Sequence, residues 1–398
     1  MRPPLAQLCA SALLVLLLSS TTAQAQTPPA GPAALPGMNS PTRPDMPIDA
    51  TQRAEVIATL GPKMRASYVF PDVAQKMVAA VIAHDKRGAY NNDTTANAFC
   101  DRLTAHLQEV SHDKHIRVRL FSDTLPEDIP LAEQANTKPS AAEREKELAT
   151  ARLFNFGVEK FERLPANIAY LALNGFADIA FSGEALAAAM TLVADSEALI
   201  IDLRGNRGGD PATVALVTSY LFDAGEPMHL NDLYYRWSGQ TQQYWTHAWV
   251  PGKRFGASKP VYVLTSERTF SAGEEFTNNL KVLKRATIVG ATTGGGANPG
   301  GTFKLADRVG IFIPTGRAIN PVTKTNWEGT GVTPDVAVSP DQALLTAQIL
   351  AMQPVVAKMT DPWRKEAAAK ILADLQAKLD AMKTPQRRTH AVAHQNGL

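Results

Sequence analysis

A serine that opens a helix straight after a buried strand can do chemistry, and this chain has one at Ser271. Val261-Tyr262-Val263-Leu264 reads as a strand, Thr265 to Phe270 as a tight turn, and Ser271-Ala272-Gly273-Glu274 as the first turn of a helix. Such a serine has two uses. As an N-cap its hydroxyl accepts a hydrogen bond from the helix's own N–H groups. As a nucleophile it places an oxyanion over the N–H of Ala272, in the positive end of the helix dipole. A serine hydroxyl is too weakly acidic to attack an amide unaided, so the second use demands a base within reach and a group that orients the base.

His112 and His115 are candidate bases. They also share a His-x-x-His spacing that suits a metal, but no His-Glu-x-x-His or comparable third-ligand motif accompanies them, and no metal is expected. Gly205-Asn206-Arg207-Gly208-Gly209 runs from a strand into a helix, as a phosphate cradle does. It lacks the P-loop lysine and the Gly-x-Gly-x-x-Gly spacing, so no nucleotide or other cofactor is expected. Glycines here suit a different task, letting a backbone N–H face a reacting carbonyl with no side chain in the way. Gly209 in this run is a candidate substrate contact. The run from Gly294 to Gly301, with Gly295 as a candidate substrate contact, reads either as a moving site loop or as a turn between strands.

These residues need elements to hold them. Val56, Leu60 and Met64, then Val73, Met77 and Val81, then Phe99, Leu103 and Leu107 recur at helical spacing and predict about three helices between Thr51 and Gln108. His115 to Leu120 alternates apolar and charged residues as a half-buried strand does. Asp123 to Thr150 is polar and reads as a linker with helical character near Glu143. Beyond Asn155, apolar runs at Ile168–Leu173, Ala198–Leu203, Val261–Leu264, Ala286–Val289 and Val309–Ile313 alternate with helical patterns. That alternation predicts βαβ crossovers and a largely parallel sheet. Asp210-Pro211 opens a helix to about Phe222. The segment from Tyr234 through Trp237 to Trp249 carries much of the aromatic surface, and reads equally as one wall of a substrate groove or as a packed hairpin. Asp202 and Arg204 read as an internal ion pair beneath the site. Helix returns from Asp341 to about Met382, with breaks at Pro354 and Pro362.

The chain's 398 residues, 45% of them hydrophobic, suffice for a large core, and a net charge of +2 gives no reason to expect nucleic acid or a membrane surface. Arg2, the apolar run Leu13–Leu18 and Ala23-Gln24-Ala25 form the pattern of a secretory signal peptide, too short to span a bilayer. Removal near Ala25 takes Cys9 with it and leaves Cys100 with no internal disulfide partner. The expected organisation is signal peptide 1–25, flexible leader 26–50, helical domain with first strand 51–120, linker 121–154, α/β core 155–340, and C-terminal helices and tail 341–398. The expected location is secreted or periplasmic.

The strings NIAYLALNGF, LIIDLRGNRGG, VYVLTSERTFSAGEEF, ATIVGATTGGGANPGG and WEGTGVTPDV together resemble the C-terminal-processing (tail-specific) serine peptidases. Within that family they resemble the branch of the interphotoreceptor retinoid-binding protein modules and the tricorn protease catalytic core. YVFPDVA and SHDKHIRV resemble that branch's helical N-terminal domain. The resemblance implies a crotonase-like βαβ core and a peptide or protein substrate. It assigns Ser271 as nucleophile, His115 as general base and Glu328 as the acid supporting it, with the N–H groups of Ala272 and Gly208 as oxyanion hole. The lysine base of many tail-specific proteases is absent around Gly296, Lys114 stands where tricorn has a serine, and no PDZ-like domain fits between Leu120 and Asn155. The rival implied by the retinoid-binding relatives is a non-catalytic module for apolar ligands, and a third is a scaffold or inhibitor-like role.

Overall fold

The computed structural model describes residues 45–134 and 138–383; the expected signal peptide, most of the expected leader and residues 384–398 lie outside the described residues. The site hangs on a six-stranded sheet ordered β12-β8-β7-β4-β3-β2. Its strands are β2 (Val158–Leu164), β3 (Ile168–Leu173), β4 (Ala198–Asp202), β7 (Val261–Thr265), β8 (Thr287–Gly290) and β12 (Val336–Ala337). All neighbours are parallel except the β2–β3 pair. β3, β4 and β7 are buried along their whole length, which is why they read as unbroken apolar runs. Ala169, Leu171 and Leu173 face one core, shared with helices α6 (Ile179–Val193), α7 (Pro211–Ser219) and α8 (Ala272–Val282). Ile168, Tyr170 and Ala172 face the other, under α9 (Pro340–Lys358) and α10 (Pro362–Lys383). The mixed α/β class is thus as the sequence implies. The chain runs on through Pro354 inside α9 and breaks at Pro362, which takes a first-turn position where a missing N–H costs nothing.

Three helices, α1 (Ala50–Ser67), α2 (Pro71–Lys86) and α3 (Ala96–Ser111), form the N-terminal layer, and Val56, Leu60, Met64, Met77, Val81, Phe99, Leu103 and Leu107 fill its core. One expectation fails here. Val309–Ile313 is not a strand of the parallel sheet: it lies in β10 (Val309–Pro314), antiparallel between β1 (Arg117–Leu120) and β9 (Gly300–Lys304). Ile311 and Ile313 join Ile116, Val118 and the helices, so a hairpin from the far half of the chain completes the N-terminal core. An apolar run signals burial but not the identity of its pairing partner. The stretch read as linker contains two helices, α4 (Leu131–Gln134) and α5 (Ala141–Leu153), the latter opened by a Ser140–Glu143 capping box. A third sheet, β5 (His229–Tyr235) between β6 (Gln240–Trp245) and β11 (Gly316–Ile319), contains the aromatic segment as a packed hairpin.

Candidate active site

Beyond β7 the turn is fixed from beneath: the Thr269 hydroxyl donates to Leu203 O at 2.7 Å and the Phe270 N–H to Asn206 O at 3.0 Å. Ser271 follows at the N-cap of α8 with φ 53° and ψ −123°, a backbone conformation that costs a non-glycine residue about 1–3 kcal/mol. Ser271 and Glu274 stand in capping-box positions, and the Ser271 N–H is given up to the Glu274 side chain. Glu274 closes the turn. Its buried carboxylate accepts the Ser271 N–H at 3.0 Å and three donors of the glycine run: the Thr293 hydroxyl (2.5 Å) and the Gly295 and Gly296 N–H groups (2.6 and 2.8 Å). Burial pushes Glu274 up to about 7 against the pull of these donors. Sequence reasoning passed Glu274 over, although Ser-x-x-Glu at a helix start is a capping-box signal.

Gly208 (φ +110°) lies directly against the serine: a Cβ there would meet Ser271 Cβ at 2.7 Å, and Ser271 Oγ and Ala272 N at 3.1 Å. The Gly208 N–H, expected as an oxyanion donor, is engaged within the loop. That N–H is bonded to Asn206 Oδ1 at 2.9 Å, and Asn206 is itself anchored on Leu173 O. Among the described residues the Ala272 N–H has no acceptor, as expected at the first position of a helix. Gly209 is pinned beside Phe176 through a parallel bridge. Gly295 is not available as a substrate contact through its backbone: its N–H goes to Glu274 and its carbonyl oxygen accepts from Gly329 N–H at 3.0 Å. Trp237, in the β5–β6 turn, packs on a cluster that includes Ala297 and Trp327, next to the glycine run.

The two histidines part company. His112 is exposed at the left-handed C-cap of α3, whereas His115 turns inward ahead of β1. The His115 ring lies 4.6 Å from the ring of Phe270, the residue before Ser271, and 5.8 Å from that of Phe312. No hydrogen bond joins His115 to the Ser271 hydroxyl; catalytic hydrogen bonds are often unmade before substrate arrives. His115 Nδ1 and Glu328 Oε1 are both buried without a partner. With Asp113 they form a group whose ligand-capable atoms all lie within 4.8 Å of one another, the group among the described residues whose geometry suits a metal ion. Glu328 is held from its other oxygen, which accepts the Ala297 and Asn298 N–H groups at 2.6 and 3.1 Å.

Asp113 is the residue sequence reasoning missed; its one signal was an acid two positions before the histidine. It is buried, 3.9 Å from His115 Nδ1, and accepts the His115 N–H (3.0 Å), the Tyr68 hydroxyl (3.1 Å) and Asn298 Nδ2 (3.1 Å). Burial pushes both carboxyls up, and Asp113 raises Glu328 further by its charge. Asp113 has donors on both oxygens and Glu328 on one. Burial, with Arg117 nearby, drives His115 down to about 3, so the imidazole is neutral at physiological pH. Asp202 and Arg204 pair at 2.6 Å beneath the site, with Tyr170 on the carboxylate and Pro340 O on the guanidinium.

A parallel sheet carrying a serine at the head of the helix after an inner strand, with an imidazole and two carboxyls alongside, defines a candidate serine hydrolase. Comparison with known proteins narrows the class. Residues 167–338 match peptidase family S41, and residues 50–156 match the N-terminal domain of Peptidase_S41 in eukaryotic IRBP. The chain thus carries a peptidase family S41 domain preceded by that family's N-terminal domain. It is 30% identical over 138 residues to the chloroplastic carboxyl-terminal-processing peptidase 2 of Arabidopsis thaliana; this covers 35% of the chain and 25% of that relative's length. Its fold is shared with a Parabacteroides merdae protein (TM-score 0.52, 18% identity, 77% of this chain and 99% of that one). It is shared likewise with mature CPAF (TM-score 0.50, 14% identity, 83% and 98%).

Proposed function

We propose that this chain is a secreted serine endopeptidase of the tail-specific type, working through a Ser271 acyl-enzyme. One observation carries the reading: His115, with a buried ring nitrogen that has no hydrogen bond, and Glu328, with a buried carboxyl oxygen that has none, share one cluster, and the imidazole packs on Phe270, the residue before Ser271. Those two atoms need only close on each other to give the orienting bond of a triad, from His115 Nδ1–H to Glu328 Oε1. In the working state Glu328 is ionised and the His115 proton is on Nδ1, which leaves Nε2 free to take the Ser271 proton as Oγ attacks a peptide carbonyl. The imidazolium then returns that proton to the leaving amine. Water repeats the sequence on the acyl-enzyme and regenerates Ser271. The Ala272 N–H receives the oxyanion at the positive end of α8. Gly208 joins it by exchanging Asn206 Oδ1 for the oxyanion. Export follows from the signal-peptide pattern ending at Ala25.

The test is hydrolysis of an unfolded protein by the purified chain, beside its Ser271→Ala and His115→Ala variants. Cleavage that both substitutions abolish supports the proposal. Cleavage that survives Ser271→Ala, or none from the intact chain while an apolar ligand co-purifies, refutes it.

A further inference from the structure

Asp113, His115 and Glu328 can do more than orient a base. Each offers an atom able to hold a metal ion, and these atoms all lie within 4.8 Å of one another. Two of the side chains hold a buried polar atom without a hydrogen bond, His115 Nδ1 and Glu328 Oε1. The third, Asp113, is 1% exposed at its side chain and brings Oδ1 to 3.9 Å from His115 Nδ1. That oxygen takes one donor, the His115 backbone N–H, and a carboxylate oxygen has two lone-pair sites, so one is left over. Ligand atoms about 2.0–2.1 Å from a tetrahedral zinc stand roughly 3.3 Å apart. The 3.9 Å pair would therefore have to close by about 0.6 Å, and the widest pair by at most about 1.5 Å, movements that side-chain torsions supply. The His-x-x-His spacing is not the source of this site, because His112 is exposed at the C-cap of α3.

Charge points the same way. Asp113 and Glu328 are served by neutral donors: the Tyr68 hydroxyl and Asn298 Nδ2 on one, the Ala297 and Asn298 N–H groups on the other. Neither carboxyl forms an ion pair with a lysine or arginine among the described residues, and the Lys114 ammonium is bonded to Gly294 O at 2.6 Å. A divalent cation would be the counter-ion that two adjacent carboxylates lack. One imidazole nitrogen with two carboxylate oxygens suits zinc, whereas magnesium and calcium take oxygen alone. We propose that Asp113, His115 and Glu328 form an inhibitory site for a zinc-class divalent cation. The inhibition rests on the peptidase reading; the binding does not. A working His115 carries its proton on Nδ1 and takes the Ser271 proton on Nε2. A cation on Nδ1 uses that nitrogen's lone pair, so the ring proton moves to Nε2 and the base is blocked. Glu328, now a ligand, no longer orients the ring, and any proton on either carboxyl leaves to solvent.

The experiment uses the full chain after treatment with a chelator. Zinc binding is measured by calorimetry on Ser271→Ala, and inhibition on the unsubstituted chain with a fluorogenic peptide. Zinc should bind Ser271→Ala, and Asp113→Asn added to it should weaken binding by about a hundredfold or more, since losing a group that only supports a ligand already costs about ten- to a hundredfold. Glu328→Gln serves the same purpose should the Asp113 variant fold poorly. Cobalt(II) in place of zinc should give the visible bands of a tetrahedral complex, and these should vanish in the same variants. Zinc should stop peptide cleavage by the unsubstituted chain and EDTA should restore it, while magnesium at the same concentration does neither. Zinc affinity indifferent to both substitutions puts the ion elsewhere, as on the stacked His84–His106 pair, and overturns the site. Cleavage that continues with zinc bound overturns the inhibition. The two readings fail separately: zinc binding that depends on Asp113 and Glu328, with no cleavage in EDTA, sinks the peptidase and keeps the site. Cleavage in EDTA without such binding does the reverse.

Discussion

Gly296→Ala displaces the proposed base while leaving Ser271, His115 and Glu328 in the chain. A Cβ at Gly296 would lie 2.2 Å from Phe270 Cζ, 2.5 Å from Phe270 Cε2 and 2.7 Å from His115 Cε1. Ordinary contact begins near 3.4 Å, so the phenyl ring must recede by 1.2 Å (3.4 − 2.2) and the imidazole by 0.7 Å (3.4 − 2.7). The two half-buried rings pack on each other, and the His115 backbone N–H is tied to Asp113. Overpacking of this kind costs about 1–3 kcal/mol of stability. At about 2–4 °C per kcal/mol for a chain of this order of size, Tm should fall by several degrees. The larger effect is on rate, since a displacement of about 1 Å at a reacting group costs on the order of a hundredfold. The assay is kcat/KM on a peptide well below the variant's melting temperature, with Gly301→Ala as control because nothing lies within 4 Å of its added Cβ. Activity in Gly296→Ala within about threefold of the control would refute this placement of His115, because a base poised at that spot could not survive the intrusion.

Glu328 must ionise to hold the His115 tautomer, and burial and Asp113 raise it, so the acid limb of the kcat/KM profile should lie well above the ordinary carboxylate value of 4.5 and reflect Glu328 in place of His115. Asp113→Asn removes the nearby negative charge and should move that limb to lower pH; a limb that stays in place contradicts the pairing. Stability should run the other way: Glu274 is raised from 4.5 to about 7, so its contribution is fully present below 4.5 and is lost as pH rises through about 7. Thermal unfolding followed from acid to alkaline pH should show that decline. Arg204→Ala leaves the buried Asp202 carboxylate with the Tyr170 hydroxyl and the backbone N–H of residue 204 but no opposite charge, and should destabilise by about 3 kcal/mol or more. Since Arg204 lies beneath the site, reactivity of Ser271 in the folded fraction should persist, and a loss of reactivity without a loss of Tm would contradict its structural role.

The sequence disclosed what local pattern can encode. β3, β4, β7 and β8 were legible because strands buried on both faces are unbroken apolar runs, and the Ser271 turn because a strand, a turn and a helix start are all local signals. What stayed hidden depends on contacts between distant residues. β10 looked like one more strand of the parallel sheet; its partners β1 and β9, and its place under the N-terminal helices, follow from tertiary pairing. Asp113 lay unread in a polar string because its weight comes from Tyr68 and Asn298, 45 and 185 residues away in the chain. The occupation of Gly208 N–H by Asn206 could not be read either, since glycine spacing shows where a backbone comes close but not which acceptor it meets.

Labelling with a fluorophosphonate, followed by mass mapping of the modified peptide, addresses the central claim most directly. A reagent that reacts only with an activated serine should add once to the intact chain, on Ser271, and should fail on Ser271→Ala and be slowed severely in His115→Ala. An unlabelled Ser271 in a folded chain, or labelling indifferent to His115, would contradict the account.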